Sequence, residues 1–267
     1  MKSFLNLAIL IAAISILITG CSKDDDVATV ASGAFTASGD VNDIIDGANS
    51  GNVDSLYFMI ESAIDYDDLV VGKAKVQNGA FSVKLDSIQR KHLFKVKLSE
   101  LMGDDGLVSS NMSISDTTAY MTEEDGLIIE AYKSNKSVGS IYRTNYTLSQ
   151  VNDEQLLKGF AYGNYIYCNK GFTIKGTSKY TERTGNTTWE THYNTYDMVL
   201  RKGWNEIVYQ ITDISGSDIS VSIVANTEPS GMRWLFLASD DESMKSVDVN
   251  SGLRQNLRRL FIARKRG

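Results

Sequence analysis

Gly72-Lys73-Ala74-Lys75-Val76-Gln77-Asn78-Gly79-Ala80-Phe81-Ser82-Val83-Lys84-Leu85 is the stretch from which the fold class can be read. Asn-Gly suits the two central positions of a tight hairpin turn, where both residues need positive φ. A two-residue turn there sets Val76 opposite Phe81, Ala74 opposite Val83 and Gly72 opposite Leu85. The apolar side chains of both strands then share one face, as a sheet packed on a core requires. The other face carries Lys73, Lys75, Ser82 and Lys84.

Period two recurs on both sides of this hairpin. Phe35, Ala37 and Val41 fall on one face of an earlier strand, Leu56, Phe58 and Ile60 alternate in the next, and Phe94, Val96 and Leu98 point inward with Lys95 and Lys97 outward. If these strands are neighbours, Lys73, Lys75, Lys84, Lys95 and Lys97 line one face and form an anion-binding surface. The plainer reading is a row of lysines that solvates an outer sheet face and blunts its edges.

Residues 127–132, 138–142 and 162–168 read as further strands, and 172–183 and 187–200 as a long hairpin around Thr184-Gly185-Asn186. A three-residue loop sets Ile174 opposite Tyr196 and Phe172 opposite Met198. A two-residue loop would set Ile174 against Thr195 and break the apolar face. On the face opposite Tyr196, Met198 and Leu200 stand Trp189 and Tyr193, with Tyr180 from the partner strand. Outward rings of this kind suit glycan stacking and also protein interfaces; the alternative is that this face packs on another sheet. Trp204 and Trp234 are expected in the core or at the turn.

Frequent glycine, many aromatic and β-branched residues, and no sustained helical period before the tail argue an all-β chain. The expected organisation is two β-sandwich domains of immunoglobulin or transthyretin type, over 33–112 and 119–239. Pro229 is the one proline, so the junction between them is a polar loop. Residues 240–267 form a basic tail, with Leu253, Leu257, Leu260 and Phe261 at helical spacing among Arg254, Arg258, Arg259, Arg264, Lys265 and Arg266. Such a tail is either disordered or an amphipathic helix resting on an anionic leaflet or on the acidic body.

The chain begins with the layout of a secretory signal: Lys2, an apolar run from Phe4 to Ile18, and Ile18-Thr19-Gly20-Cys21. The run is too short to span a bilayer of about 30 Å stably. Ile18-Thr19-Gly20-Cys21 resembles the lipobox of bacterial lipoproteins. That resemblance implies cleavage after residue 20, acyl chains such as palmitate on Cys21, and a membrane as partner through that residue. Several chains on one residue give stable anchoring. The acidic stretch that follows, within the tether 21–32, resembles the export tag of surface lipoproteins in Bacteroidota, which implies an outer-membrane location facing the cell exterior. A solvated tether is the alternative.

A second resemblance rests on Phe172-Thr173-Ile174-Lys175-Gly176, on Tyr196 through Asn205 with its Lys202-Gly203-Trp204-Asn205 turn, and on Pro229-Ser230-Gly231-Met232-Arg233-Trp234. These look like uncharacterised lipoproteins of Bacteroidota, which imply location and fold but no chemistry.

Net charge is −6; setting aside Lys2 and the six basic residues after Gly252 leaves 20 basic against 33 acidic residues, a body near −13. Such a body repels phosphate backbones and argues against nucleic acid as a partner. Two histidines, His92 and His192, cannot assemble a multi-imidazole zinc site, and no metal or cofactor is expected. With Cys21 committed to lipid, Cys168 has no disulfide partner in the chain; with His192 it forms at most a nucleophile and base lacking a third group. Asp40-Val41-Asn42-Asp43 through Asp46, and Asp65 with Asp67 and Asp68, put oxygen ligands in loops without fitting an EF-hand. The sequence therefore points to a non-enzymatic surface protein that binds glycan or protein. A fimbrial or adhesin-type subunit and, less directly, a glycosidase are the alternatives.

Overall fold

The computed structural model describes residues 36–40, 53–77, 80–98, 107–123, 126–145, 158–183 and 189–238. The expected signal segment, Cys21, the expected tether, the loop after Asp40 and the basic tail lie outside the described residues.

What is described is all-β. In chain order the strands are β1 (Thr36–Asp40), β2 (Ser55–Glu61), β3 (Asp68–Lys75), β4 (Ala80–Lys84), β5 (Phe94–Lys95), β6 (Leu107–Ser110), β7 (Ser113–Ile114) and β8 (Tyr120–Met121). They continue as β9 (Ile128–Lys133), β10 (Lys136–Thr144), β11 (Ala161–Cys168), β12 (Phe172–Arg183), β13 (Trp189–Leu200), β14 (Gly203–Ser215), β15 (Asp218–Ala225) and β16 (Arg233–Ala238). Fourteen of them join one sheet along the path β3-β2-β9-β10-β11-β14-β15-β13-β12-β6, with β16 beside β10, β7 beside β12, β8 beside β11 and β5 beside β8. Pairing is antiparallel except between β13 and β15. Strand twist accumulates across so many strands, so the sheet curls and walls in two apolar cores.

β11 stands between those cores. All of its residues are buried. Tyr162, Ile166 and Cys168 enter one core, whereas Tyr165 and Tyr167 enter the other, as period two dictates. β16 repeats the division, with Leu235 on the first side and Trp234 and Phe236 on the second. A strand buried on both faces cannot alternate apolar with charged residues, and Ala-Tyr-Gly-Asn-Tyr-Ile-Tyr-Cys contains no charge.

Gln77 and Ala80 exchange backbone hydrogen bonds of 2.9 and 3.0 Å, as a two-residue Asn-Gly connection requires. Beyond that pair β3 and β4 separate. β3 stays on the large sheet beside β2, while β4 pairs with β1 in a two-stranded sheet. β4 lies over β3: a Cβ on Gly72 would come within 2.8 Å of Leu85 Cδ2 and 3.0 Å of Val83 Cγ2. Glycine permits that approach, and the facing apolar sides of the hairpin become two facing layers. One lysine face is therefore not formed, because Lys84 sits on a different sheet from Lys73 and Lys75.

Strands from both sides of the expected junction between 112 and 119 meet in one sheet. β2 pairs with β9, and β6 and β7 pair with β12. The described residues fall within one compact unit.

The long hairpin differs from expectation by two residues. Phe172 faces Leu200, Ile174 faces Met198 and Arg183 faces Trp189, so the connection is the five residues 184–188. Three-residue and five-residue loops have the same parity, and each keeps the apolar side chains on one face. The observed register adds Leu200 as a partner for Phe172.

The turn that follows is closed by its own asparagine. Asn205 Nδ2 donates to the Arg201 carbonyl (2.8 Å) and the Gly203 carbonyl (2.9 Å), and its Oδ1 accepts from Arg201 N–H at 2.8 Å. Asn226 Nδ2 donates to the same oxygen at 3.1 Å. Trp204 is buried, stacks edge-on with Tyr167 at 5.5 Å and donates Nε1–H to the Asp86 carbonyl at 3.0 Å. The Lys-Gly-Trp-Asn turn thus ties β14 to the chain after β4.

Candidate aromatic surface on the outer hairpin face

β13 alternates strictly between His192 and Leu200: even-numbered residues are buried and odd-numbered ones exposed. On the outer face Trp189 is 55% exposed and Tyr193 37%, while Trp204 and Trp234 are 9% and 4%. The two exposed rings are four residues apart, about 13 Å along a strand that rises about 3.3 Å per residue. Thr191 lies between them on the same face, and Thr195 continues the row.

β12 supplies a matching row. Arg183 occupies the position opposite Trp189, Thr181 opposite Thr191, Lys179 opposite Tyr193, Thr177 opposite Thr195 and Lys175 opposite Asp197. On the other flank β15 sets the exposed Asp218 beside Thr191, Ser220 beside Tyr193 and Ser222 beside Thr195. Lys179 Nζ stands 5.1 Å from the centre of the Tyr193 ring, a cation held over a π face. Lys175 Nζ instead pairs with Asp197 Oδ1 at 2.9 Å. The face is a strip of rings, hydroxyls and charges of both signs that can stack on a ligand and hydrogen-bond its edges.

Tyr180 does not belong to it. It faces His192, and the two rings stack at 4.7 Å with planes 1° apart, on the inner side of the hairpin. His192 is wholly buried, and its Nε2 lies 3.8 Å from Glu190 Oε2. Asn194 Nδ2 donates to the Tyr196 hydroxyl at 3.3 Å, and burial pushes the Tyr196 phenol up. These polar side chains sit where β13 changes from apolar to polar on its inner face. Cys168 is buried, and burial pushes its thiol up to about 12, so it stays protonated at neutral pH.

Lys73 lies on the outer face of the β3-β2-β9 region. Its Nζ stands 4.2 Å from the Tyr57 ring centre, and Tyr57 stacks on Tyr132 at 4.3 Å. Lys75 is opposite Ser55 on the same edge, and Lys84 is opposite Thr36 on the small sheet. The Tyr57–Tyr132 stack was hidden in sequence, because it joins strands 75 residues apart through a cross-strand pairing that no local pattern announces.

A charged cluster also escaped the sequence. Arg143 Nε donates to Glu206 Oε1 at 3.2 Å, and its Nη2 donates to Glu228 Oε1. The Tyr165 hydroxyl donates to Glu206 Oε1 at 3.3 Å, and the guanidinium stacks on Trp234 at 5.1 Å. Burial pushes the Glu206 carboxyl up, and Arg143 opposes that rise. The cluster clamps β10, β14 and the approach to β16.

The acidic loop between β2 and β3 uses its oxygens locally. The Ser62 hydroxyl, and behind it the Asp67 N–H, hold the Asp65 carboxyl below its usual range. Ser62 Oγ also meets His92 Nδ1 at 3.0 Å. Among the described residues no group of three or more His, Cys, Asp or Glu side chains is placed to hold a metal ion.

The chain matches no protein-family model, no curated protein and no solved structure.

Proposed function

We propose that this chain is a lipid-anchored surface lipoprotein, held in the outer membrane through Cys21, that binds glycan or protein at the cell envelope without catalysis. The two apolar cores are read as two sandwiches sharing β11 as a common wall. The observation that carries the binding reading is the exposure of Trp189 and Tyr193 on a face whose other members are mostly Thr, Ser and charged residues, with Val199 at its end. A large ring left in water on a largely polar sheet face is a common mark of a contact surface. The Ile18-Thr19-Gly20-Cys21 motif supports the anchor.

The test is a binding screen of the full-length protein against envelope glycans and envelope proteins, with Trp189→Ala and Tyr193→Ala beside Lys84→Ala. Loss of binding in the two ring variants and retention in Lys84→Ala supports this face. Retention in all three excludes it.

A hydrolytic reading would centre on Glu206, whose carboxyl is raised, with Glu228 as the second carboxylate. Arg143 is bonded to both, which makes the cluster a structural clamp first. Release of reducing sugar that is lost in Glu206→Gln would favour hydrolysis over binding alone.

A further inference from the structure

The aromatic row and the basic row on the outer hairpin face are in register. Each exposed ring of β13 has a cationic residue at its cross-strand position, Arg183 opposite Trp189 and Lys179 opposite Tyr193. The third cation of the row, Lys175, faces Asp197 and is neutralised by it at 2.9 Å. Lys179 has no carboxylate partner among the described residues; its charge rests on the Tyr193 ring.

From this juxtaposition we infer that the face takes an extended, acidic oligosaccharide, lying along β12 and β13 with its rings stacked on Trp189 and Tyr193 and a carboxylate or sulfate on Lys179. The inference rests on the proposed binding role of this face and adds the ligand class. Three features favour it. The two positions are about 13 Å apart along a strand rising about 3.3 Å per residue, a span that suits a chain of several sugars better than a single one. Hydroxyls of Thr181, Thr191, Thr195 and Ser220 flank the path between and beside the rings, where sugar hydroxyls exchange hydrogen bonds readily. The cation beside Tyr193 adds a charge-assisted contact that a neutral glycan leaves unused. Single-stranded nucleic acid also combines stacking with phosphate contacts, so a dT oligonucleotide is one arm of the test.

The full-length protein, in detergent, is titrated with hexagalacturonate, with cellohexaose as a neutral chain of equal length, and with a dT oligonucleotide. The expected order is hexagalacturonate first, with Lys179→Gln weakening it about tenfold, the loss of one charge-assisted hydrogen bond, and leaving cellohexaose unchanged. Added salt should weaken the acidic ligand in the native protein and much less in Lys179→Gln. Equal affinity for the acidic and neutral hexamers, unaffected by Lys179→Gln but lost in Trp189→Ala, would overturn the acidic-ligand inference and leave the binding face intact. Tightest binding by the oligonucleotide would overturn the ligand class. No binding to any of the three probes would overturn the inference, and the envelope-protein arm of the wider screen then decides whether the face binds at all.

Discussion

At the level of single residues, the structure separates side chains that hold the fold from those that face outward. Asn205 is the clearest of the first kind, since it closes its own turn and meets Asn226 while almost wholly buried. Asn205→Ala strands the Arg201 and Gly203 carbonyls and the Arg201 N–H, and should cost roughly 2–4 kcal/mol in a urea melt. Glu206 has a pH signature. Burial raises its folded carboxyl above the ordinary value of 4.5, so the stability tied to its protonated form is full below that value and is lost as pH rises through the folded pKa. Glu206→Gln should therefore flatten the fall in stability from pH 4 upward, read from denaturation midpoints at several pH values. Asp116 behaves oppositely. The Lys170 ammonium, then the Thr118 hydroxyl and N–H, hold it at about 2, so its contribution is present above 3.8 and disappears as pH falls toward 2.

At the level of elements, β12 is bent under its edge strands at Gly176. There φ is +123°, and a Cβ would meet the Asn111 carbonyl oxygen and Met112 Cα, each at 2.7 Å. Those contacts are backbone, which cannot swing away, so Gly176→Ala should cost about 2–3 kcal/mol in thermal or urea denaturation. Asn111 Oδ1 takes the Thr177 N–H at 2.6 Å on the far side of the same crossing, so the loss should come with detachment of the β6–β7 edge. The elements themselves were largely legible in sequence, because period two survives wherever one face is wet. β13 shows it over nine residues, and its outer set, Trp189 included, could be named from alternation alone. What alternation cannot supply is loop length of equal parity, which is why the hairpin register was off by two. It also cannot say which sheet a strand joins: β4 keeps its inward side chains yet leaves β3 for β1. Tyr180 is an even number of residues from Phe172 and Ile174, so alternation along β12 places it on their inner face in either register, against the sequence expectation.

At the level of the whole molecule, β11 makes the two cores interdependent. Ile166 packs in one core and its neighbours Tyr165 and Tyr167 in the other, so damage to either side disturbs a wall common to both. Ile166→Ala should cost about 2–5 kcal/mol, and tryptophan emission and far-ultraviolet circular dichroism should report one shared transition in the native and variant proteins. Chains cut between residues 115 and 119 should fail to fold separately, because β2 would lose β9 and β12 would lose β6 and β7. This interdependence was not visible in sequence: composition and length fit two separate sandwiches equally well, and only long-range pairing distinguishes them.

The same architecture provides a direct optical test of the binding face, since Trp204 and Trp234 are enclosed and Trp189 is the tryptophan that a ligand on the outer hairpin can cover. Tryptophan emission of the full-length protein is followed while hexagalacturonate is added. A saturable blue shift that vanishes in Trp189→Phe and is strongly weakened in Tyr193→Ala is the predicted result. Saturable binding seen calorimetrically with unchanged emission, and unaffected by either substitution, would contradict the account.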